Sequence, residues 1–160
     1  MSETGNAAED HAEIVALPPV VYGVAVIAGV VVKLAVGGSI APGSGLRVGI
    51  GIAALVLGAL GSLRFAKIFA RTGQDKDPRT PTPSLVTDGL YAHSRNPAYV
   101  SLTLLQVGLA CLLDNVWILV FLLPVLALIH YGVILREEAY LERKFGDAYR
   151  SYKDRVRRWI

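Results

Sequence analysis

Four apolar stretches organise the chain, each bounded by polar or turn-forming residues. A helix needs roughly 20 residues to cross a hydrocarbon core of about 30 Å. Leu17–Val36 meets that length, with Lys33 near its end and Pro18 and Pro19 where a first helical turn tolerates proline. A Gly/Ser/Pro-rich turn follows, and 46–63 forms the second stretch, with Ala54, Gly58 and Ser62 in one stripe at four-residue spacing. Small residues on one face let another helix approach closely. The third stretch, 98–113, is shorter, and Asp114-Asn115 separates it from the fourth, 116–135. So tight a turn predicts an antiparallel helical hairpin, with Pro124 kinking the second arm. The pattern therefore predicts an all-α integral membrane protein with four transmembrane helices.

The segments between and after the stretches carry most of the polarity. Residues 71–97 form a long connection holding Pro78, Pro81, Pro83 and Pro97. Connections of this length are usually functional or disordered, and Ser84–Tyr91 is not low in complexity, so a functional cytoplasmic loop is expected. Past the fourth stretch, 136–160 predicts polar helices. Gly146 suits a C-terminal cap and Asp147 the next N-cap. Tyr149, Tyr152, Val156 and Trp159 then recur at spacings of three and four among basic residues, as in an amphipathic helix lying on a membrane surface. Residues 1–15 hold Glu3, Glu9, Asp10 and Glu13 without Lys or Arg. This reads as a disordered acidic tail rather than a signal peptide, which begins with positive charge. Residues 16–160 make one membrane domain.

Composition agrees: 18% of residues are charged, against about 25% in a soluble domain. Fourteen of the sixteen Lys and Arg residues fall in the 64–97 region or after residue 135, leaving Arg47 and Lys33 on the other side. The positive-inside rule places both termini and the middle loop in the cytoplasm, with a bacterial inner membrane as the expected location. The net charge of +3 flanks apolar segments, so acidic lipid headgroups are the expected partner and nucleic acid is not. Cys111 lies inside an apolar run and reads as core rather than nucleophile. Gly49-Ile50-Gly51 follows no strand, which excludes a nucleotide-binding loop. No metal site is expected.

Glu137 and Glu138 stand side by side where the fourth stretch ends. They read either as surface ion pairs with Arg136, Arg143 and Lys144, or as carboxylates at a membrane mouth suited to a cationic ligand. Gly89-Leu90-Tyr91, then Arg95-Asn96-Pro97-Ala98-Tyr99, then Glu137-Glu138 with Leu141, Phe145-Gly146, Tyr149 and Tyr152 resemble the isoprenylcysteine carboxyl methyltransferase family over residues 70–158. The related phospholipid N-methyltransferases share the paired glutamates.

That resemblance implies an S-adenosyl-L-methionine-dependent methyltransferase acting on a lipophilic or membrane-associated acceptor. By the family's pattern, Pro83, Ser84, Leu85, Val86, Tyr91, Asn96, Pro97, Ala98, Tyr99 and Glu137 would bind the cofactor. Arg95 and Glu138 are the candidate catalytic residues. Tyr91 and Tyr99 suit cation–π contact with a sulfonium, Glu137 an ammonium or ribose hydroxyls, and Arg95 the cofactor carboxylate or an anionic substrate. The sequence departs from the family twice: Asn96 replaces the commoner histidine, and Val133 occupies the position of a substrate-binding arginine. A non-catalytic membrane subunit keeping the fold is the alternative. A reductase is a third reading, opposed by the small number of apolar stretches.

Overall fold

The computed structural model describes residues 14–73 and 83–160. Six helices follow in order: α1 (Pro18–Val36), α2 (Gly45–Thr72), α3 (Pro97–Leu112), α4 (Val116–Ile129), α5 (Leu135–Phe145) and α6 (Asp147–Arg155). A 3-10 turn, Gly89–Ala92, precedes α3, and a π turn, His130–Ile134, joins α4 to α5. No strand occurs among the described residues. Three helical stretches are long and apolar enough to cross a membrane: α1, α2 and the continuous run Val116–Phe145. The third, α3, is apolar but has 16 residues.

Local chemistry sets these boundaries. Pro18 and Pro97 occupy first-turn positions, where the missing N–H costs nothing. The Ser44 side chain accepts from Arg47 N to cap α2, and Asn115 accepts from the N–H groups of Trp117 and Ile118 to cap α4. Gly73 ends α2 in the left-handed conformation. Past its apolar stretch, α2 therefore continues to Thr72, carrying Arg64, Lys67 and Arg71 on unbroken helix. Pro124 sits inside α4, and the π turn begins six residues later.

The helices pair as α2 with α3 and α1 with α4, with α3 also against α4. Small residues bring α2 and α3 together. A Cβ on Gly58 would lie 2.9 Å from Leu105 N and Ser101 O, and one on Gly108 would lie 2.8 Å from Leu55 N. Gly51 abuts Cys111 and Leu112, and Gly61 abuts Ser101. Across the molecule, Tyr22, Ala25, Leu122, Val125, Ile129, Val133 and Ile134 form the apolar core together with Tyr99.

The end remote from Glu137 is tied by a polar clasp. Asp114, at φ +49°, turns the α3–α4 hairpin. Its Oδ1 accepts from Ile40 N (2.9 Å) and Ala41 N (3.1 Å) and lies 3.3 Å from Arg47 Nε. Lys33 Nζ donates to the Leu113 and Asp114 carbonyls, Arg47 to the Cys111 carbonyl, and Trp117 Nε1 to Gly37 O. Four helices thereby share one knot.

Two expectations change. Most of the 1–15 tail lies outside the described residues, as do 74–82 of the long connection, but Ile14 packs on the core and Val15 N donates to Gly132 O. The C-terminal helix stops at Arg155 and Val156 is extended. Asp147 is its first residue, with Gly146 as cap. Its aromatic edge turns inward: Tyr149 and Tyr152 are 1% and 3% exposed. Hydroxyl partners within the protein explain this, since Tyr152 donates to Tyr91 O at 2.7 Å.

Candidate functional site

The start of α3, the turn before it, the start of α5 and the chain after α6 converge at one end of the bundle. Gly89, at φ +61°, lets the chain enter the 3-10 turn, and Tyr91 N closes it on Asp88 O. Residues 94–96 then lie against the segment after α6. Arg95 N donates to Arg157 O (3.0 Å) and Asn96 Nδ2 to Arg158 O (2.8 Å), while Ser94 Oγ accepts from Asn96 N. Trp159 carries this segment onto the apolar core.

Glu137 and Glu138 meet different environments although they are neighbours. The Glu138 carboxylate is buried and clamped by two guanidinium groups. Arg158 donates through Nε (2.8 Å) and Nη2 (2.9 Å), and Arg95 Nη2 lies 3.2 Å away. The Arg95 side chain is 8% exposed, and its Nε and Nη1 have no hydrogen-bond partner among the described residues. Buried polar groups nearly always have partners; the Tyr149 hydroxyl feels this guanidinium both as a charge and as a hydrogen-bond donor, so an acceptor at this edge would share it with Tyr149.

Glu137 is partly buried and has no cationic partner among the described residues. Its Oε1 accepts from Tyr99 Oη at 2.7 Å. Burial pushes its carboxyl up to about 7; the Tyr99 hydrogen bond opposes the rise and the neighbouring Glu138 charge adds to it. Burial, and secondarily the Glu137 charge, also raise the Tyr91 hydroxyl. Burial lifts Tyr152 to about 12, against the pull of Arg95. These phenols are therefore hydrogen-bond donors at neutral pH. Tyr99 is held from below by Thr103 and Tyr22: Thr103 Oγ1 donates to Tyr99 O, and Tyr22 Oη lies 2.9 Å from Thr103 Oγ1.

The candidate residues thus divide by position. Tyr99 with Glu137 and Arg95 with Glu138 are in direct contact, and Tyr91 lies within electrostatic reach of Glu137. Asn96 is buried, with its amide turned to the chain after α6. Pro97 begins α3 and accepts from Ser101 Oγ through its carbonyl, and Ala98 is half-buried beside it. Pro83 and Ser84 are exposed, and Leu85 and Val86 half-buried; no described contact joins these four to Glu137. Arg158 and Tyr152 also belong to the constellation. Spacing marked Arg158 only as one basic residue among several in a polar tail.

The sequence model of the phospholipid methyltransferase family matches residues 46–148. Over 72 residues, 45% of the chain, the sequence is 45% identical to a protein-S-isoprenylcysteine O-methyltransferase of Schizosaccharomyces pombe. That match spans 30% of the S. pombe protein. Over 66 residues, 39% of the chain, it is 44% identical to an uncharacterized protein of Haemophilus influenzae, 98% of which is covered. No solved structure matches the chain.

Proposed function

Because the chain belongs to the phospholipid methyltransferase family, related to the isoprenylcysteine carboxyl methyltransferases, we propose that it is an S-adenosylmethionine-dependent methyltransferase of a lipophilic acceptor, with its site where Tyr99 meets Glu137. The observation that carries this reading is a partly buried carboxylate, hydrogen-bonded to a tyrosine and matched by no cation among the described residues. The neighbouring Glu138 holds a buried arginine, two of whose nitrogens have no hydrogen-bond partner among the described residues. An amino-acid zwitterion complements both: its ammonium would pair with Glu137 and its carboxylate with Arg95. S-adenosylmethionine has such a zwitterion, and when bound it supplies an electrophilic methyl group on a sulfonium.

The chain's residues would act by placement. Methyl transfer is an in-line displacement, so aligning donor and acceptor supplies most of the rate. Tyr91 and Tyr99 would face the sulfonium. Glu138, gripped also by Arg158, would keep Arg95 in place, a positioning role more than direct participation. Pro83–Val86 and Asn96–Ala98 would form the rim on the cofactor side. In this reading α3 is a fourth crossing, short because its first turn opens into the site, and both chain ends face the cytoplasm. A lipophilic acceptor would approach between helices, while the cofactor arrives from water. Val133 is fully buried in the apolar core, so it provides no charge for a prenylcysteine carboxylate.

Calorimetric titration of the detergent-purified protein with S-adenosylmethionine tests this. Binding that weakens at least about tenfold in Glu137→Gln, the loss of one charge-assisted contact, is expected. Absence of binding to the unmutated protein would favour a non-catalytic subunit. Supplying labelled methyl donor to membranes then identifies the acceptor by which fraction gains label.

A further inference from the structure

A concavity of about 320 Å³ lies between α2 and the Gly89–Ala92 turn. It is lined by Arg64, Lys67, Ile68 and Arg71 of α2 and by Gly89, Leu90 and His93. Three permanent or near-permanent cations and a histidine converge there, and no carboxylate of the described residues lines it.

Four other cations at this end are held by carboxylates. Arg95 and Arg158 hold Glu138, Arg150 holds Asp147 and Glu142, and Lys153 holds Glu142. Among the described residues, Arg64, Lys67 and Arg71 make no ion pair. No described carboxylate competes for their charge.

The helix face they occupy says which anion. Leu57, Leu60, Arg64, Lys67 and Arg71 follow at steps of three and four, so they share one stripe of α2. Leu57 and Leu60 are 57% and 47% exposed. The stripe therefore changes from bare apolar to cationic at Arg64. The α2–α3 register, in which Gly61 faces Ser101 and Gly58 faces Leu105, sets Arg64 level with the first turn of α3. An amphiphile with an anionic head and hydrocarbon tail has that profile. The methyl donor does not, because its one anionic group is a carboxylate and it has no tail.

We propose that Arg64, Lys67, Arg71 and His93 form a phosphate site that seats the headgroup of an anionic phospholipid, whose acyl chains run along the Leu57–Leu60 face of α2. The lipid there is a bound partner and need not be the methyl acceptor, so the inference stands or falls independently of methyl transfer. Arg64 and Arg71 would fork onto phosphate oxygens and Lys67 would add a point charge between them.

The test measures binding to the full chain in detergent, by calorimetry, of dihexanoyl phosphatidylglycerol, dihexanoyl phosphatidylcholine and inorganic phosphate. Phosphatidylglycerol is expected to bind well above phosphatidylcholine and to weaken with added salt. The Arg64→Gln/Lys67→Gln/Arg71→Gln variant is expected to lose about tenfold or more, given what each cation near a lipid surface contributes. The charge-matched control Arg143→Gln/Arg155→Gln/Arg157→Gln is expected to change less than about threefold, since those cations lie outside the pocket. Equal losses in both variants would reduce the effect to diffuse surface charge and overturn the site. Equal binding of both lipids would overturn the requirement for an anion. Inorganic phosphate binding as tightly as the phospholipid would assign the pocket to free phosphate and overturn the lipid. If the triple variant loses helical signal, Lys67→Glu alone carries the comparison, with a loss of about threefold or more expected from reversing one charge.

Discussion

If Glu137 receives the methyl donor as proposed, binding there is linked to a proton. Its carboxyl lies near 7 in the folded protein against 4.5 for the free side chain. That difference corresponds to about 3 kcal/mol, at roughly 1.4 kcal/mol per tenfold in proton affinity. The folded state holds this proton more tightly than the unfolded one. The stabilisation is therefore complete below about pH 4.5 and is lost as pH rises through 7. A cationic ligand reverses the preference, because it pairs with the ionised form. Affinity for S-adenosylmethionine is then expected to rise about tenfold per pH unit up to 7 and to level off above it. Complexation is expected to expel close to one proton at pH 6 and about a tenth of one at pH 8. Tyr91 does not obscure this window, because burial raises its hydroxyl far above it. Calorimetry in buffers of differing ionisation enthalpy counts the protons directly. Proton release that persists in Glu137→Gln, or is absent from the unmutated protein at pH 6, would refute the assignment.

Removing Tyr99's hydroxyl with Tyr99→Phe deletes the hydrogen bond that favours ionised Glu137, so the midpoint of that proton release should move upward from 7. Glu138→Gln leaves Arg95 buried without its counter-charge, and thermal unfolding should report a loss of about 3 kcal/mol. Arg158→Gln should cost about 1 kcal/mol, because Arg158 is 31% exposed and Arg95 still holds the glutamate. Gly58→Leu forces a side chain against the α3 backbone, and a loss of about 1–3 kcal/mol is expected, read from the denaturation midpoint in detergent. Asp114→Ala strands two backbone N–H groups and Arg47. It should lower the denaturation midpoint, whereas Asp114→Asn, which keeps an acceptor, should lower it less.

Hydropathy and spacing made the helices legible, because apolar runs bounded by proline, glycine and Asp-Asn have few other solutions. The Ala54–Gly58 stripe pointed to a close helix contact, and the structure sets α3 against it through Gly51, Gly58 and Gly61. Length was harder to read. Polar residues after Leu63 looked like the end of a helix, but nothing between Arg64 and Thr72 breaks one, and the helix runs on until Gly73. The tail was misjudged for a related reason. Periodicity shows that Tyr149 and Tyr152 share a face but not what that face meets, and here it meets the turn at Tyr91. Pairings distant in sequence left no local trace. Neither the Arg158–Glu138 fork nor the split between two adjacent glutamates can be inferred from spacing.

The knot around Asp114 has a mechanical consequence. It joins the α1–α2 connection to the α3–α4 hairpin at one extremity, while the two glutamates lie at the other. Any widening of the far extremity that spares the knot is a rotation about it, and α2 is then a lever. Arg64 stands seventeen residues beyond Arg47, roughly 25 Å of helix. A tilt of about 5° would carry Arg64 some 2 Å sideways, by the same helical rise. Because Gly51, Gly58 and Gly61 hold α2 against α3, a bulky lipophilic guest would swing the two helices together as one arm.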